Sequence, residues 1–417
     1  MRILWFTNTP SKAASDFGYK SYGGGWISAL ESLVVAEQVH ELGICFFYNG
    51  KDYKKVIKDN VIYYGIPFEQ ENFLHRIINR QKGNLNDTKS PFIDNIIEDF
   101  KPDLIHVFGT EQGYGKLLIN KFDKVVFHIQ GLVGPYAEVF FPNGFSKNAV
   151  LRKSNLKEIF RGITFYHRYL SIKQKAPREK EIIKQWKYFT GRTDWDRNYV
   201  KLINPNSTYF HCEELLREEF FFHQWVSLPK PVAGQPIIIG STINPNIYKG
   251  LDLIYKVVKL LKDYNICWKI FGITEDRDVN RMVKKMMHIT EAEPAIKFYG
   301  QVPAPQLIEE LKTCHFFVHP SYIDNSPNSV CEAMLLGMPV LSSSVGGVNS
   351  LITHKEDGFL FNPYDQYELA GILVHLINNY GTALELAKKA RIRALKRHSP
   401  EDIISVLNKI YDNIKYA

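Results

Sequence analysis

The sequence predicts an α/β protein built as two units in tandem, each a parallel sheet covered on both faces by helices. Three observations carry that prediction. The chain has 417 residues, more than one ordinary core accommodates. Short apolar runs that close in glycine or a polar residue alternate with longer amphipathic stretches, the signature of strands buried between helices. The pattern then restarts near Gln235, after the proline-bearing stretch VSLPKPVAGQP from Val226 to Pro236.

In order along the first unit, RILWFTN is a strand, SYGGG a glycine loop, and WISALESLVVAEQVHELG an amphipathic helix stopped by glycine. ICFFYNG, VIYYGI, DLIHVFG and KVVFHIQG are further strands, with PFIDNIIEDFKPD a helix between two of them. In the second unit PIIIGST, CWKIFG, AIKFYG, CHFFVHP and PVLSSS are strands, and GLDLIYKVVKLLKDY is a helix. The expected division is 1–230, 231–399, and a C-terminal helix over 400–417 able to pack back across either unit.

Hydrophobic residues make up 45% and charged residues 23%, ordinary for a globular chain. No run approaches the roughly eighteen apolar residues that span a bilayer, and MRILWFTNTP reads as a first strand and not as a signal peptide. Cys45, Cys212, Cys267, Cys314 and Cys331 are odd in number and scattered, which suits reduced core thiols in a cytoplasmic protein. The net charge of +8 admits nucleic acid, anionic membranes or phosphorylated small molecules as partners. Much of that charge falls between Arg152 and Arg192, where aromatics interleave. About 150–192 is expected to be a basic helical insertion, either a solvated face or a surface for anionic lipid. No nucleic-acid motif accompanies it, so nucleic acid is not an expected partner.

The chemistry concentrates in HPSYIDNSPNSVCEAMLLGMPVLSSSVGG, His319 to Gly347. A strand ends, a polar loop follows, and a helix starts near Asn328 with Ser326-Pro327 as its cap and first-turn proline. Its unpaired first-turn amides and dipole suit a phosphate. Asp324 in the loop and Glu332 one turn into the helix suit sugar and ribose hydroxyls.

This block resembles the donor-site signature of retaining GT-B glycosyltransferases, the large glycosyltransferase family 4. The family's Glu, seven residues, Glu-Ala, then Gly-x-Pro-Val and Gly-Gly is matched by Asp324, Glu332-Ala333, Gly337-Met338-Pro339-Val340 and Gly346-Gly347. The resemblance implies two Rossmann-like doubly wound domains facing across a cleft, and a nucleotide-sugar donor, UDP-linked by default. It implies that Glu332 holds the ribose, Asp324 meets the sugar, and Asn328 and Ser329 offer amides to the diphosphate. GSTINPNIYKGLDLI resembles the family's strand, loop and helix, so that Lys249 neutralises the leaving diphosphate. Gly23-Gly24-Gly25 matches a loop that approaches the donor phosphate, through Gly24 and Gly25. Gly300 and Val302 match the stretch beside the nucleobase.

Three positions depart from the family pattern. Asp324 replaces Glu. Ser241 stands where an Arg is usual, with a hydroxyl expected to serve the donor instead. Gln130 stands where a His beside the sugar is usual, and cannot act as a base. Glu111, at the end of HVFGTE, is an acceptor-side candidate because ligands gather at the carboxyl ends of strands in such folds. Asp194-Trp195-Asp196 imitates the metal motif of another glycosyltransferase fold, but no strand signal adjoins it; it is expected to be structural, with no metal or other cofactor. The expected partners are a nucleotide-sugar donor and a glycan or lipid-linked acceptor, in polysaccharide biosynthesis at the inner face of a membrane. The alternative is a non-catalytic sugar-nucleotide-binding or scaffold protein on this fold. A second alternative, another Rossmann enzyme such as a dehydrogenase, lacks support, because no GxGxxG with a downstream acid follows the first strand.

Overall fold

The computed structural model describes residues 1–19, 25–69, 72–82, 91–230, 232 and 234–417. These form two compact units. Unit 1 comprises Met1–Ala137, Leu170–Leu215 and His398–Ala417; unit 2 comprises Glu138–Tyr169 and Leu216–Arg397. The change of unit thus falls at Leu215/Leu216, ahead of the proline-bearing stretch, and Glu138–Tyr169 groups with unit 2.

Unit 1 carries β1 (Arg2–Phe6), β2 (Glu41–Tyr48), β3 (Lys54–Lys58), β4 (Val61–Pro67), β5 (Leu104–Phe108), β6 (Val125–His128), β7 (Tyr188–Gly191) and β8 (Thr208–His211). Among the described residues they form one sheet in the order β3-β4-β2-β1-β5-β6-β7-β8. All pairs are parallel except β3 with β4. The interior strands are buried on both faces, as all five residues of β5 illustrate, which explains their unbroken apolar runs. The chain's last helix, Pro400–Lys415, belongs to unit 1. Its buried Tyr411 accepts a hydrogen bond from Trp5 Nε1 (3.2 Å) and shares another with His106 Nδ1 (2.8 Å).

Unit 2 carries β9 (Ile237–Thr242), β10 (Ile266–Phe271), β11 (Ile296–Gly300), β12 (Phe316–His319), β13 (Val340–Ser343) and β14 (Phe359–Phe361). The order is β11-β10-β9-β12-β13-β14, all parallel. Both sheets reverse their winding beside their first strand: between β1 and β5 in unit 1, and between β9 and β12 in unit 2. In open parallel sheets this is where the carboxyl ends of strands leave a crevice for ligands.

The basic stretch differs most from expectation. It is not one helical insertion, because β7 lies inside it, hydrogen-bonded to β6 and β8. Nor is its charge all on the surface. Arg192 forms a buried ion pair with Glu214 at 2.9 Å. In the helix Phe165–Gln185, Arg178 and Glu179 are both buried. Glu179 accepts from Thr110 Oγ1 (2.7 Å) and from the amides of Val133 (3.0 Å) and Gly134 (3.1 Å). Composition counted these side chains as a solvated face; their partners lie far away in sequence.

Asp194-Trp195-Asp196 follows β7 directly, so a strand does adjoin it. Its role is nevertheless local. It opens the helix Asp194–Ile203, with Thr193 Oγ1 accepting from the Asp196 amide at 3.1 Å. The buried Asp196 carboxylate accepts from Tyr209 and from the Arg192 amide.

Candidate active site

The winding reversal of unit 2 gathers charge. Lys249 closes a short turn after β9, and Gly250 follows with φ +78°. A Cβ at Gly250 would lie 2.0 Å from Pro320 O, so only glycine lets this turn lie against the loop after β12. The Tyr322 amide donates to Tyr248 O at 2.8 Å and fixes the two loops together. The result brings Lys249 Nζ to 2.5 Å from Asp324 Oδ2, and His319 Nε2 to 3.1 Å from the same oxygen. Asp324 is 8% exposed. Burial opposes its charge, but the Lys249 ammonium and the contact with His319 outweigh that and hold its carboxyl well below the usual range. Burial lowers His319 despite Asp324, keeping the ring neutral.

The helix Asn328–Leu336 starts beside this cluster. Its N-cap is Pro327, not Ser326, and no side chain caps it. Asn328 and Ser329 are half-buried in its first turn. The Gly347 amide donates to Asp324 O at 3.1 Å, which brings the Gly-Gly loop to the same place. Glu332 is 5% exposed and is clasped by Arg217: Nε to Oε1 and the second guanidinium nitrogen to Oε2, both 2.7 Å. Sequence reasoning missed Arg217. It lies 115 positions from its partner in a stretch, HCEELLREEFFFH, without a motif. Its one signal was a lone cation just ahead of the second repeat of the strand pattern.

One expected donor contact is corrected. Ser241 is fully buried. Its hydroxyl donates to Val318 O (2.6 Å) and accepts from Trp268 Nε1 (3.0 Å). It therefore ties β9 to β12 and β10 instead of facing a ligand. Gly300 ends β11 with φ +71°, and Val302 packs against the core just beyond. Both lie at the carboxyl edge of the sheet that also holds His319.

At the reversal in unit 1 the contents are rings. His106 stacks on Phe108 (4.0 Å between centroids) and on His128 (5.7 Å), while Trp26 meets Phe108 at 5.6 Å. Burial pushes His106 down to about 3 and also lowers His128 well below its ordinary value. Glu111 follows β5. Its Oε1 accepts from Asn8 Nδ2 at 2.5 Å, Oε2 has no hydrogen-bond partner among the described residues, and burial raises its carboxyl. Gln130 follows β6 and is half-buried. Gly25 is the exposed first residue of the helix Gly25–Glu37, and Gly24 lies outside the described residues. Unit 1 therefore brings Glu111 to its reversal point, and unit 2 brings Lys249, Asp324 and His319 to its own.

Residues 230–393, which include the charged cluster, match the family model described as Glycosyl transferases group 1. The amylovoran biosynthesis glycosyltransferase AmsK of Erwinia amylovora is 27% identical over 165 residues, 38% of this chain and 40% of that protein. The chain thus aligns with about two fifths of the length of this relative. Over the full length the fold is that of GT-B glycosyltransferases. Sucrose-phosphate synthase from Thermosynechococcus elongatus superposes with a TM-score of 0.71 at 17% identity, covering 99% of each chain. HepE from Anabaena, solved with UDP and glucose, gives 0.66 at 14% identity over 100% of each. The matched stretch ends at Arg393, one turn before the boundary of unit 2 at Arg397.

Proposed function

We propose that the chain is a retaining glycosyltransferase of family 4 type that moves a sugar from a UDP-sugar to a hydroxyl of a glycan or lipid-linked acceptor. The observation that carries the reading is the paired cluster Lys249–Asp324–His319 beside the uncapped helix start at Asn328, at the winding reversal of unit 2. In this reading the diphosphate displaces Lys249 from Asp324. The ammonium and the amides of Asn328 and Ser329 then stabilise the charge that builds on the leaving phosphate. Asp324, released, accepts from sugar hydroxyls. Glu332 takes the ribose hydroxyls with lone pairs that Arg217 leaves open, its orientation already fixed by the clasp. Gly300 and Val302 line the base. The bond from the anomeric carbon to the phosphate oxygen breaks as the acceptor oxygen bonds the same face of that carbon. The acceptor proton passes to the leaving phosphate, which is consistent with Gln130 in place of a base. Acceptor recognition is assigned to unit 1, with Glu111 as its polar centre and Gly25 on the donor phosphate side.

HepE was solved with UDP and glucose, and AmsK is named a biosynthesis glycosyltransferase for amylovoran; both support the choice of donor class and setting. A donor panel assayed for transfer, alongside thermal shifts with nucleotide diphosphates, tests the proposal. UDP-dependent stabilisation and transfer that both collapse in Glu332→Gln are expected. The engagement of Ser241 inside the sheet, where an Arg is usual, favours one second reading, a donor-binding protein without turnover. Stabilisation by nucleotide with no transfer from any donor would establish that reading instead.

A further inference from the structure

The helix Phe73–Lys82 of unit 1 has no buried residue. Phe73 is 62% exposed, Leu74 69% and Ile78 47%, and Phe68 shortly before it is 44% exposed. At about 100° per residue, Phe73, Ile77, Leu74 and Ile78 fall within an arc of roughly 140°, interrupted by Gln81 alone. Arg80 flanks one side of that arc and Lys82 the other, with Arg76 beyond Arg80. From Asn72 to Lys82 there is no acidic residue. The helix is nevertheless a formed element. Asn72 Oδ1 accepts from the His75 amide at 2.9 Å, and Gln174 Nε2 donates to Lys82 O at 2.5 Å, tying its end to the long helix Phe165–Gln185.

A ten-residue helix in water gains little from its own hydrogen bonds. None of its apolar residues is fully buried, and only Ile77 is half-buried. A protein groove would satisfy the apolar arc but gives no account of cations on both of its flanks with no acid among them. An anionic bilayer accounts for both features: the arc enters the acyl boundary while the flanking Arg and Lys reach phosphate headgroups. We infer that the helix Phe73–Lys82 is an interfacial helix by which the protein docks on anionic membrane surfaces. This inference does not depend on the sugar-transfer reading. It moves the lipid contact from the basic stretch 150–192, whose Arg178 and Arg192 are buried, to an element of modest charge and high exposed apolar area.

The test is sedimentation of the full-length protein with vesicles of phosphatidylcholine alone and of phosphatidylcholine mixed with phosphatidylglycerol. Binding to the mixed vesicles and little to the neutral ones is expected. The double variant Arg80→Glu, Lys82→Glu should lose about thirty-fold or more in vesicle affinity, from roughly 1 kcal/mol for each cation near the surface. Leu74→Ser with Ile78→Ser should lose about ten-fold or more. Both should unfold at the wild-type temperature, since these side chains bury nothing. Lys173→Glu with Lys180→Glu, on the exposed face of the basic stretch, should retain most of the binding. Absent binding of the wild type, undiminished binding of the Leu74/Ile78 variant, or loss confined to the Lys173/Lys180 variant overturns the inference. So does lipid-independent self-association that the Leu74/Ile78 variant abolishes, which would place a second copy of the chain on this face.

Discussion

In unit 2 the carboxyl ends of β9 and β12 meet paired charges, whereas in unit 1 the equivalent ends of β1 and β5 meet stacked rings and one half-buried acid, Glu111. The two sheets wind alike, so the difference lies in the side chains the loops deliver. Lys249, Asp324 and His319 share one oxygen, a cluster held together by attraction that a diphosphate could enter by exchange. His106, His128 and Phe108 form a neutral stack that keeps its shape without any charge. The first arrangement suits a ligand of fixed chemistry; the second is a scaffold on which a variable partner's contacts can be changed at little cost.

The comparison breaks most readily at Glu332. Glu332→Gln keeps the shape of the side chain but removes one acceptor, and transfer should fall about 10²- to 10³-fold, read as initial rate with UDP-sugar. A comparable fall in Glu111→Gln, with Glu332→Gln active, would reverse the roles assigned to the two units. Next in size is Arg217→Ala. It strands a buried carboxylate and should destabilise unit 2 by about 3–5 kcal/mol, measured by urea unfolding. Arg217→Lys should recover only part of this, because one ammonium cannot replace a bidentate fork.

Tyr411→Phe tests the scaffold of unit 1. It leaves the Trp5 indole N–H and His106 Nδ1 without their shared partner and should cost about 1–3 kcal/mol. Acid sharpens the contrast further. His106, His128 and His319 have folded values below 6.5, so the folded state binds fewer protons than the unfolded state there. Their contribution is complete above pH 6.5 and is lost as pH falls below it. His128→Phe should flatten that slope by at most about 1.4 kcal/mol per pH unit. Asp324 is also depressed, so its contribution is present above 3.8 and is lost as pH falls below that value; Asp324→Asn should have a shallower slope there than the wild type. The smallest effect is at Glu111. Burial raises its carboxyl, so its folded form is favoured below 4.5 and penalised as pH rises through the raised value. Glu111→Gln should therefore raise the melting temperature at neutral pH by about 2 °C.

What was legible in the sequence follows from distance along the chain. Asp324, Asn328 and Glu332 lie within one strand-loop-helix passage and Gly347 just past the next strand, so their order alone pointed to the candidate site. Lys249 lay apart but had Gly250 beside it as a marker. Arg217 had neither, and its clasp on Glu332 could be found only in three dimensions. Ser241 is hard to place for a related reason: it stands right after the glycine of β9, inside the strand, and the Trp268 whose indole N–H donates to its hydroxyl comes from the neighbouring strand β10. In the fold, long apolar runs gave most strands. β7 was hidden because YFTG sits among lysines and arginines, and β3, an edge strand reading KKVIK, shows the charges that edge strands carry. Composition averaged over such stretches cannot separate an exposed lysine from Arg192, whose partner Glu214 follows 22 residues later.

The bond network of Tyr411 also sets an order of assembly during synthesis. The ring that joins β1 to β5 belongs to a helix made after every residue of unit 2. As the chain emerges from the ribosome, unit 2 has all its parts while unit 1 still lacks the helix that covers Trp5 and His106. Unit 2 can therefore close first, and unit 1, though it supplies the N-terminus, must wait with a gap beside its central strand. Chaperone dependence, proteolytic nicking and the damage done by C-terminal truncation should all fall on unit 1.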